Sequence, residues 1–267
     1  MTAVAGWRRM RVAVAGVAAA VALGAAAIPF ACFRAEPAPY APRDPHLAAW
    51  PLYVYPAVTT PARAFVFFVG NDIGFWGAHQ ELAKRLAGAG YHVVGIDVKA
   101  YFPHLVDADS ARGRAFADTV AMMIGLARRE LGADSLPVIV GGHSLGAEIA
   151  AWIAAEAPPR DLAGALLISP RARGHLRATL SDVANRSAPE EPGSFGVGAE
   201  ISAAAPGVRF AIVRGTDDRF RDADAGLLRE GGQRIEKWAV PWGGHSMSNI
   251  LLAGPFVERA LAWTLRR

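Results

Sequence analysis

The chain has 267 residues, of which 52% are hydrophobic, so it is long enough to bury the core of one large domain. Its formal net charge of +4 comes from the first 35 residues, which contain four arginines and no acidic residue. Without those arginines the 28 basic residues fall to 24, equal to the 24 acidic residues, and this balance argues against nucleic acid as a partner. The single cysteine, Cys32, excludes an intramolecular disulfide.

The N-terminal segment has the pattern of a targeting sequence. Three arginines precede an uncharged run from Val12 to Phe33, in which Ala25–Ala27 offers small residues at the spacing of a cleavage site. Two interpretations of residues 1–35 stay open: a cleaved signal peptide and an uncleaved N-terminal membrane anchor. Both predict that the rest of the chain is exported, because the arginines stay on the inner side of the membrane.

A linker and then an alternating pattern follow the targeting segment. Residues 36–51 contain five prolines, which predicts an extended linker. Beyond it, apolar runs typical of strands lie at residues 52–55, 64–69, 92–98, 137–141, 163–169, 209–215 and 235–240. Helical patterns lie between them, at 76–89, 110–132, 145–157, 222–230 and 249–265. This alternation predicts an α/β domain over 52–267, with a mainly parallel sheet and helices on both faces.

Residues 171–206 interrupt the alternation. Within them, the polar stretch 175–182 suits either a strand or a helix, and 187–198 has the composition of a loop. We expect 171–206 to be an insertion over the carboxyl edge of the sheet, where ligands bind in open α/β sheets.

The stretch VIVGGHSLGAE, at residues 138–148, places a G-x-S-x-G motif between a predicted strand and a predicted helix. A sharp turn there would lift the Ser144 hydroxyl above the sheet edge, and the flanking glycines would avoid clashes in the strained turn. The N–H of Leu145 would lie at the helix start, where free amides and the helix dipole can stabilise an oxyanion. Ser144 is thus the predicted nucleophile, His143 a residue packed behind the turn, and Glu148 a favourable charge in the first helical turn.

A serine nucleophile needs a base and an acid, and both follow in the order Ser, acid, His. His245 comes after the last predicted strand and would take the proton of Ser144, while an aspartate would hold its imidazole in the right tautomer. Asp217 and Asp218 both follow the strand 209–215. We favour Asp218, because in hydrolases of this type the acid usually stands three residues after the glycine that ends the strand.

The second oxyanion donor should come from the turn after the strand 64–69. That turn contains Gly70-Asn71-Asp72-Ile73-Gly74, and we expect the backbone N–H of Asn71 to be the donor, with Asp72 as the next choice. The remaining histidines, such as His79 and His92, have no metal-ligand spacing and suit ordinary surface or core positions. No metal and no organic cofactor is expected.

Four stretches resemble the VirJ/AcvB-type bacterial proteins, exported members of the α/β-hydrolase superfamily. They are FVGNDIGFWGAHQELAKRLAGAGYHVVGIDVKAYF (68–102), GGHSLGAE (141–148), RGTDD (214–218) and PWGGHSM (241–247). The chain departs from that family where it has VGNDIGFW instead of the common S-G-D-G-G-W. The resemblance implies an α/β-hydrolase fold with a doubly wound sheet, and a periplasmic or membrane-anchored serine hydrolase that faces the periplasm.

Some members of that family are linked to cleavage of the aminoacyl ester of lysyl-phosphatidylglycerol. The resemblance therefore implies a small-molecule or lipid ester as the substrate, and association with a membrane surface. Four cations could meet a lipid phosphate or could be ordinary surface charges: Lys99, Arg171, Arg173 and Arg177.

Two other functions stay open. A thioesterase or peptidase would use the same three side chains. A non-catalytic periplasmic binding or assembly protein could keep the fold without an activated serine, although it would have no need of all three residues.

Overall fold

The computed structural model describes residues 35–101, 109–177, 186, 189–245 and 247–266. The predicted targeting segment, with Cys32, therefore lies outside the described residues, except for residue 35. Within the described ranges, no helix combines the length and the apolar character needed to cross a membrane.

The strands in chain order are β1 (Leu52–Tyr55), β2 (Ala64–Val69), β3 (Tyr91–Ile96), β4 (Val138–His143), β5 (Leu162–Ile168), β6 (Arg173–His175), β7 (Ser194–Gly196), β8 (Arg209–Gly215) and β9 (Ile235–Val240). In the described part of the chain they form a seven-stranded sheet, ordered β1-β3-β2-β4-β5-β8-β9, and a two-stranded sheet of β6 and β7. In the large sheet β1 runs antiparallel to β3, and the other pairs are parallel. The predicted mainly parallel sheet is confirmed.

The helices in chain order are α1 (Pro45–Ala48), α2 (Gly77–Gly88), α3 (Val98–Tyr101), α4 (Asp109–Glu130), α5 (Leu145–Glu156), α6 (Val197–Ala203), α7 (Asp224–Gly231) and α8 (Met247–Thr264). Two short 3-10 turns flank α7, at Arg221–Ala223 and Gly232–Arg234. Each long helix lies within a few residues of its predicted position.

Helices cover both faces of the sheet, as the continuous apolar runs of the strands require. Alternate residues of β2 enter two separate cores, one on each face of the sheet. On one face Phe65 and Phe67 pack with residues of α4, α5, α6 and α7. Val66 and Phe68 pack on the opposite face with residues of α2 and α8. The carboxyl ends of the parallel strands are left at one edge, and this edge carries the candidate site.

The predicted strand 92–98 is too long at its carboxyl end. The strand ends at Ile96, and Val98 already begins the short helix α3. Asp97 explains the difference, because its Oδ1 accepts a hydrogen bond from the N–H of Ala100 at 3.0 Å and so caps the helix.

The segment 171–206 contains more regular structure than its composition predicts. β6 and β7 pair as an antiparallel hairpin, and α6 begins at Val197, so the loop predicted for 187–198 is wrong for its last five residues. Val197 and Ile201, one helical turn apart, are buried in the core shared with α5 and α7. Residues 178–185 and 187–188 lie outside the described residues, so the placement of the whole segment over the site stays a prediction.

Candidate active site

Ser144 lies on a strained corner between β4 and α5. Its φ of 53° and ψ of −121° are unusual for a residue with a side chain. A Cβ at Gly142 would lie 2.2 Å from the carbonyl oxygen of Gly146, and a Cβ at Gly146 would lie 2.2 Å from that of Val69. Both positions therefore require glycine, and the end of β2 packs directly against this turn.

The structure brings Ser144, His245 and Asp218 together. The Oγ of Ser144 is 2.9 Å from the Nε2 of His245, and the Nδ1 of His245 is 3.2 Å from one carboxylate oxygen of Asp218 and 3.4 Å from the other. Asp218 is fully buried, whereas Asp217 is exposed and its N–H bonds to the carbonyl oxygen of Gly243 at 2.9 Å. Asp218 is therefore the aspartate in contact with His245.

The surroundings of Asp218 favour its ionised form. Burial raises the pKa of this carboxyl, but the hydrogen bond with His245 and the charge of Arg214 outweigh it and hold the pKa well below the usual range of an aspartate. Arg214 donates from Nη1 to Oδ2 at 2.7 Å, and the N–H of Phe220 donates to Oδ1 at 2.9 Å. An ionised Asp218 can orient His245 and accept from its Nδ1–H.

Arg214 is a residue of this site that the sequence analysis missed. Its guanidinium is only 1% exposed and bonds to Asp224 at 3.0 Å and to the carbonyl oxygen of Pro170, besides Asp218. The sequence does contain a signal for it. An arginine inside an apolar strand needs a buried acidic partner, and Asp218 follows four residues later.

The two predicted oxyanion donors lie just after the carboxyl ends of two neighbouring strands, β4 and β2. Leu145 is the first residue of α5, where backbone N–H groups have no partner within the helix. Asn71 follows the end of β2, in a turn closed by a 2.9 Å bond from the N–H of Gly74 to its carbonyl oxygen. Its side-chain oxygen accepts from the indole of Trp76 at 3.1 Å and from the N–H of Ile73 at 3.2 Å, which fixes the turn. The donor role of the Asn71 N–H stays a prediction.

Two histidines behind the turn at Ser144 are also part of the site. His143 is buried, as predicted, but it is not merely packed: its Nε2 lies 3.0 Å from the carbonyl oxygen of His245. Its Nδ1 lies 3.3 Å from the Nε2 of His79, which the sequence analysis treated as an ordinary histidine. The sequence offers no signal for this pair, because the two residues are 64 positions apart.

Glu148 and Arg171 form a buried ion pair beside the site. The guanidinium meets the carboxylate in two hydrogen bonds, of 2.6 and 2.9 Å, and both side chains are almost fully enclosed. Glu148 is thus more than a favourable helix charge, and Arg171 is already engaged by a carboxylate. Arg173 and Arg177 bond to Ser194 and Glu191, each at 3.0 Å, whereas Lys99 is exposed.

Nothing among the described residues forms a group of three or more metal-binding side chains.

Comparisons with known proteins point to one fold. The family model of serine aminopeptidase, S33, matches residues 60–191. A putative dienelactone hydrolase from Klebsiella pneumoniae is 17% identical, with a TM-score of 0.58 over 82% of this chain and 93% of that one. MenH from S. aureus is 12% identical, with a TM-score of 0.56 over 79% and 97% of the two chains. Esterase 2 from Thermogutta terrifontis is 20% identical, with a TM-score of 0.53 over 79% and 87%.

The search of curated protein sequences gives no significant match. The resemblance to the VirJ/AcvB-type proteins is therefore carried by the four sequence stretches alone. The mainly parallel seven-stranded sheet with helices on both faces agrees with the family model and with the likeness to the structural neighbours. Together they identify this chain as having the α/β-hydrolase fold.

Proposed function

We propose that the protein is a serine hydrolase that cleaves carboxylic esters through an acyl-enzyme. The observation that carries the proposal is the continuous row of contacts from the Oγ of Ser144 through the ring of His245 to Asp218, at 2.9 and 3.2 Å. These are the distances at which a base can take the proton of a serine hydroxyl while an acid holds the opposite ring nitrogen.

In the first half of the reaction, the Oγ of Ser144 attacks the ester carbonyl carbon and its proton moves to the Nε2 of His245. Asp218 stabilises the imidazolium that forms, and the N–H groups of Asn71 and Leu145 hold the carbonyl oxygen as it becomes an oxyanion. The tetrahedral intermediate collapses when the bond to the leaving oxygen breaks. His245 gives its proton to that oxygen, and the acyl group remains on Ser144.

In the second half, water replaces the alcohol. His245 takes a proton from the water, whose oxygen attacks the acyl carbon. The bond between that carbon and the Oγ of Ser144 then breaks, His245 returns the proton to Oγ, and the carboxylic acid is released. Each residue thus acts twice, and no cofactor is required for these steps.

A lipid ester, such as an aminoacyl-phospholipid, is the substrate class that we propose within the esters. Two apolar side chains on turns at the carboxyl edge of the sheet support it: Trp242 is 83% exposed and Ile73 is 42% exposed. Trp242 lies three residues before His245 and is the more exposed of the two. Large exposed apolar side chains near a site suit a substrate with an apolar portion or a membrane surface. Export to the periplasm, by signal peptide or anchor, would place the enzyme near such lipids.

The same three side chains could also cleave thioesters or amides, and the match to a serine aminopeptidase family favours keeping the second of these as an alternative. A non-catalytic binding or assembly protein is the other alternative. Such a protein would not need the 2.9 Å contact between Ser144 and His245 or the strained backbone at Ser144.

A fluorophosphonate probe tests the proposal, because it reacts with activated serines. We expect the purified protein to be labelled and the Ser144→Ala and His245→Ala variants to remain unlabelled. Paired oxyester, thioester and amide substrates, with lysyl-phosphatidylglycerol among the oxyesters, then separate the alternatives. A folded wild-type protein that takes no label would favour the binding protein.

A further inference from the structure

A chain of hydrogen bonds runs through the buried interior behind the candidate active site. It begins at the backbone N–H of Trp76, which lies 3.3 Å from the Nδ1 of His79. The Nε2 of His79 is 3.3 Å from the Nδ1 of His143, and the Nε2 of His143 is 3.0 Å from the carbonyl oxygen of His245. His79 and His143 are each 1% exposed.

The two ends of this chain fix the position of every proton in it. A backbone N–H can only donate and a carbonyl oxygen can only accept. The Nδ1 of His79 must therefore accept from Trp76, so its proton sits on Nε2 and is donated to His143. The Nδ1 of His143 accepts it, so the proton of His143 also sits on Nε2 and is donated to the carbonyl oxygen of His245. One arrangement of two neutral rings satisfies all three bonds.

The surroundings keep both rings neutral. Burial lowers the pKa of His79 well below its ordinary value, and the neighbouring His143 lowers it further. Burial likewise lowers the pKa of His143 to about 3, with a further contribution from His245. A charged ring in either position would carry an N–H on Nδ1 that needs an acceptor, but the Nδ1 of each ring already faces an N–H.

The hydrogen-bond chain connects three parts of the candidate active site. His143 is bonded covalently to Ser144. At its far end the hydrogen-bond chain bonds to the backbone carbonyl of His245. At its start lies Trp76, whose indole donates to the side-chain oxygen of Asn71 at 3.1 Å and so reaches the predicted oxyanion turn. A single buried network therefore relates the positions of the nucleophile, the base and that turn.

We propose that His79 and His143 are positioning residues, whose one-directional hydrogen-bond chain holds the backbone of His245 so that its ring meets both Ser144 and Asp218. The proposal rests on the proposed function, because it assigns the two residues a part in that reaction. Neither of them is assigned a contact with the substrate.

The hydrogen bond from His143 acts directly on the loop that carries His245. This loop leaves β9 through Trp242, which has a φ of 53° and whose N–H bonds to the hydroxyl of Thr216 at 2.9 Å. Gly243 is also held, because its N–H bonds to the carbonyl oxygen of Val240 at 3.2 Å and its carbonyl oxygen accepts from the N–H of Asp217 at 2.9 Å. His143 bonds to the backbone of His245 itself. A displacement of about 1 Å in a catalytic group can cost about 100-fold in rate, so a loosened loop should act on the chemical step.

Two substitutions of His143 separate its hydrogen bonds from its bulk. His143→Phe keeps a ring and removes both bonds, whereas His143→Gln has an amide that can accept from His79 and donate to the carbonyl of His245. We expect His143→Phe to lower kcat about 10- to 100-fold with KM changed less than about 3-fold. His143→Gln should recover most of that loss. His92→Phe is the matched control, since it removes a 3.2 Å bond between a histidine and the backbone N–H of Ala57 outside the network.

Two further measurements, of the ring tautomers and of folding, make the test decisive. Nitrogen-15 NMR of the labelled wild-type protein should show both rings protonated on Nε2 and not on Nδ1; an Nδ1–H on either ring would overturn the proposal. Thermal unfolding shows whether each variant is folded, and His79→Phe replaces His143→Phe if the latter is not. A folded His143→Phe variant with kcat within about 3-fold of the wild type would also overturn it.

Failure of the proposed function would give a different result from failure of the positioning role. In that case the wild-type protein itself would show no hydrolysis and no fluorophosphonate labelling, whatever the tautomers of His79 and His143. An active wild type with an unaffected His143→Phe variant would instead refute the positioning role alone.

Discussion

The substitution Asp218→Asn tests the proposed roles of the three residues at one position. In the protein, Oδ2 of Asp218 accepts from Arg214 at 2.7 Å and Oδ1 accepts from the N–H of Phe220 at 2.9 Å. An amide has only one oxygen for these two donors. Whichever oxygen it replaces, its NH2 group faces one of these donors and also lies near the Nδ1 of His245, which is 3.2 and 3.4 Å from the two oxygens of Asp218. His245 is thereby pushed towards the tautomer with its proton on Nε2, which cannot accept from Ser144.

This change of tautomer sets the size of the effect. The same substitution of the acid in a serine protease lowers kcat about 10⁴-fold, which corresponds to about 5.4 kcal/mol of transition-state stabilisation. We expect a loss of that order here. Arg214 keeps Asp224 as a partner at 3.0 Å, so the variant should still fold.

The assay is the hydrolysis of a chromogenic ester, with circular dichroism and urea unfolding to confirm that the variants are folded. Asp217→Asn is the matched control: it makes the same chemical change one residue away, on an exposed side chain, and should keep kcat within about 2-fold. If Asp217→Asn lost activity and a folded Asp218→Asn kept it, the assignment of the acid would be refuted.

The remaining predictions concern the turn, a buried charge, acid stability and the substrate. Gly146→Ala should abolish fluorophosphonate labelling, because its Cβ would lie 2.2 Å from a carbonyl oxygen, whereas Gly207→Ala, in open space, should label like the wild type. Arg171→Met should lower the free energy of unfolding by roughly 3–5 kcal/mol in urea titrations, since it leaves a buried carboxylate without its ion pair; a loss below about 1 kcal/mol would contradict this. The free energy of unfolding should fall as the pH drops below about 6.5, by up to roughly 1.4 kcal/mol per pH unit for His143, because the unfolded chain binds a proton there and the native ring does so only near pH 3. A folded His143→Gln variant with an equally steep pH dependence would show that this ring is not the cause. Trp242→Ala should raise KM for long-chain esters several-fold and leave short-chain esters unchanged; equal effects on both would argue against an apolar contact.

The fold could be predicted from the sequence because each of its parts has a local signal. The run Ala64–Val69 is apolar throughout, and the structure covers both of its faces. The strand 92–98 was misplaced at its end because the capping of α3 by Asp97 is a side-chain bond that competes with the sheet, and the pattern of apolar residues does not contain it. Helix α6 was missed because its seven residues are too few to display a clear helical period.

The residues of the candidate site also differ in whether the sequence carries a local signal for them. Ser144, Asp218 and His245 could be proposed because each follows a strand, and parallel strands end at one edge of a sheet. Arg214 and His79 could not be placed in this way. Their parts in the site depend on burial and on distances between residues far apart in the chain, such as the 3.3 Å between His79 and His143. Buried polar networks of this kind become visible only when the packing is known.

Detection of an acyl-enzyme is the most direct test of Ser144 as the nucleophile. The protein is mixed with an activated carboxylic ester, quenched in acid within milliseconds to seconds, digested and examined by mass spectrometry. We expect a transient acyl group on the peptide that contains Ser144, which grows with a burst of released alcohol and then reaches a steady level. Rapid ester hydrolysis without any acyl group on Ser144, or with an equal rate in the Ser144→Ala variant, would contradict it.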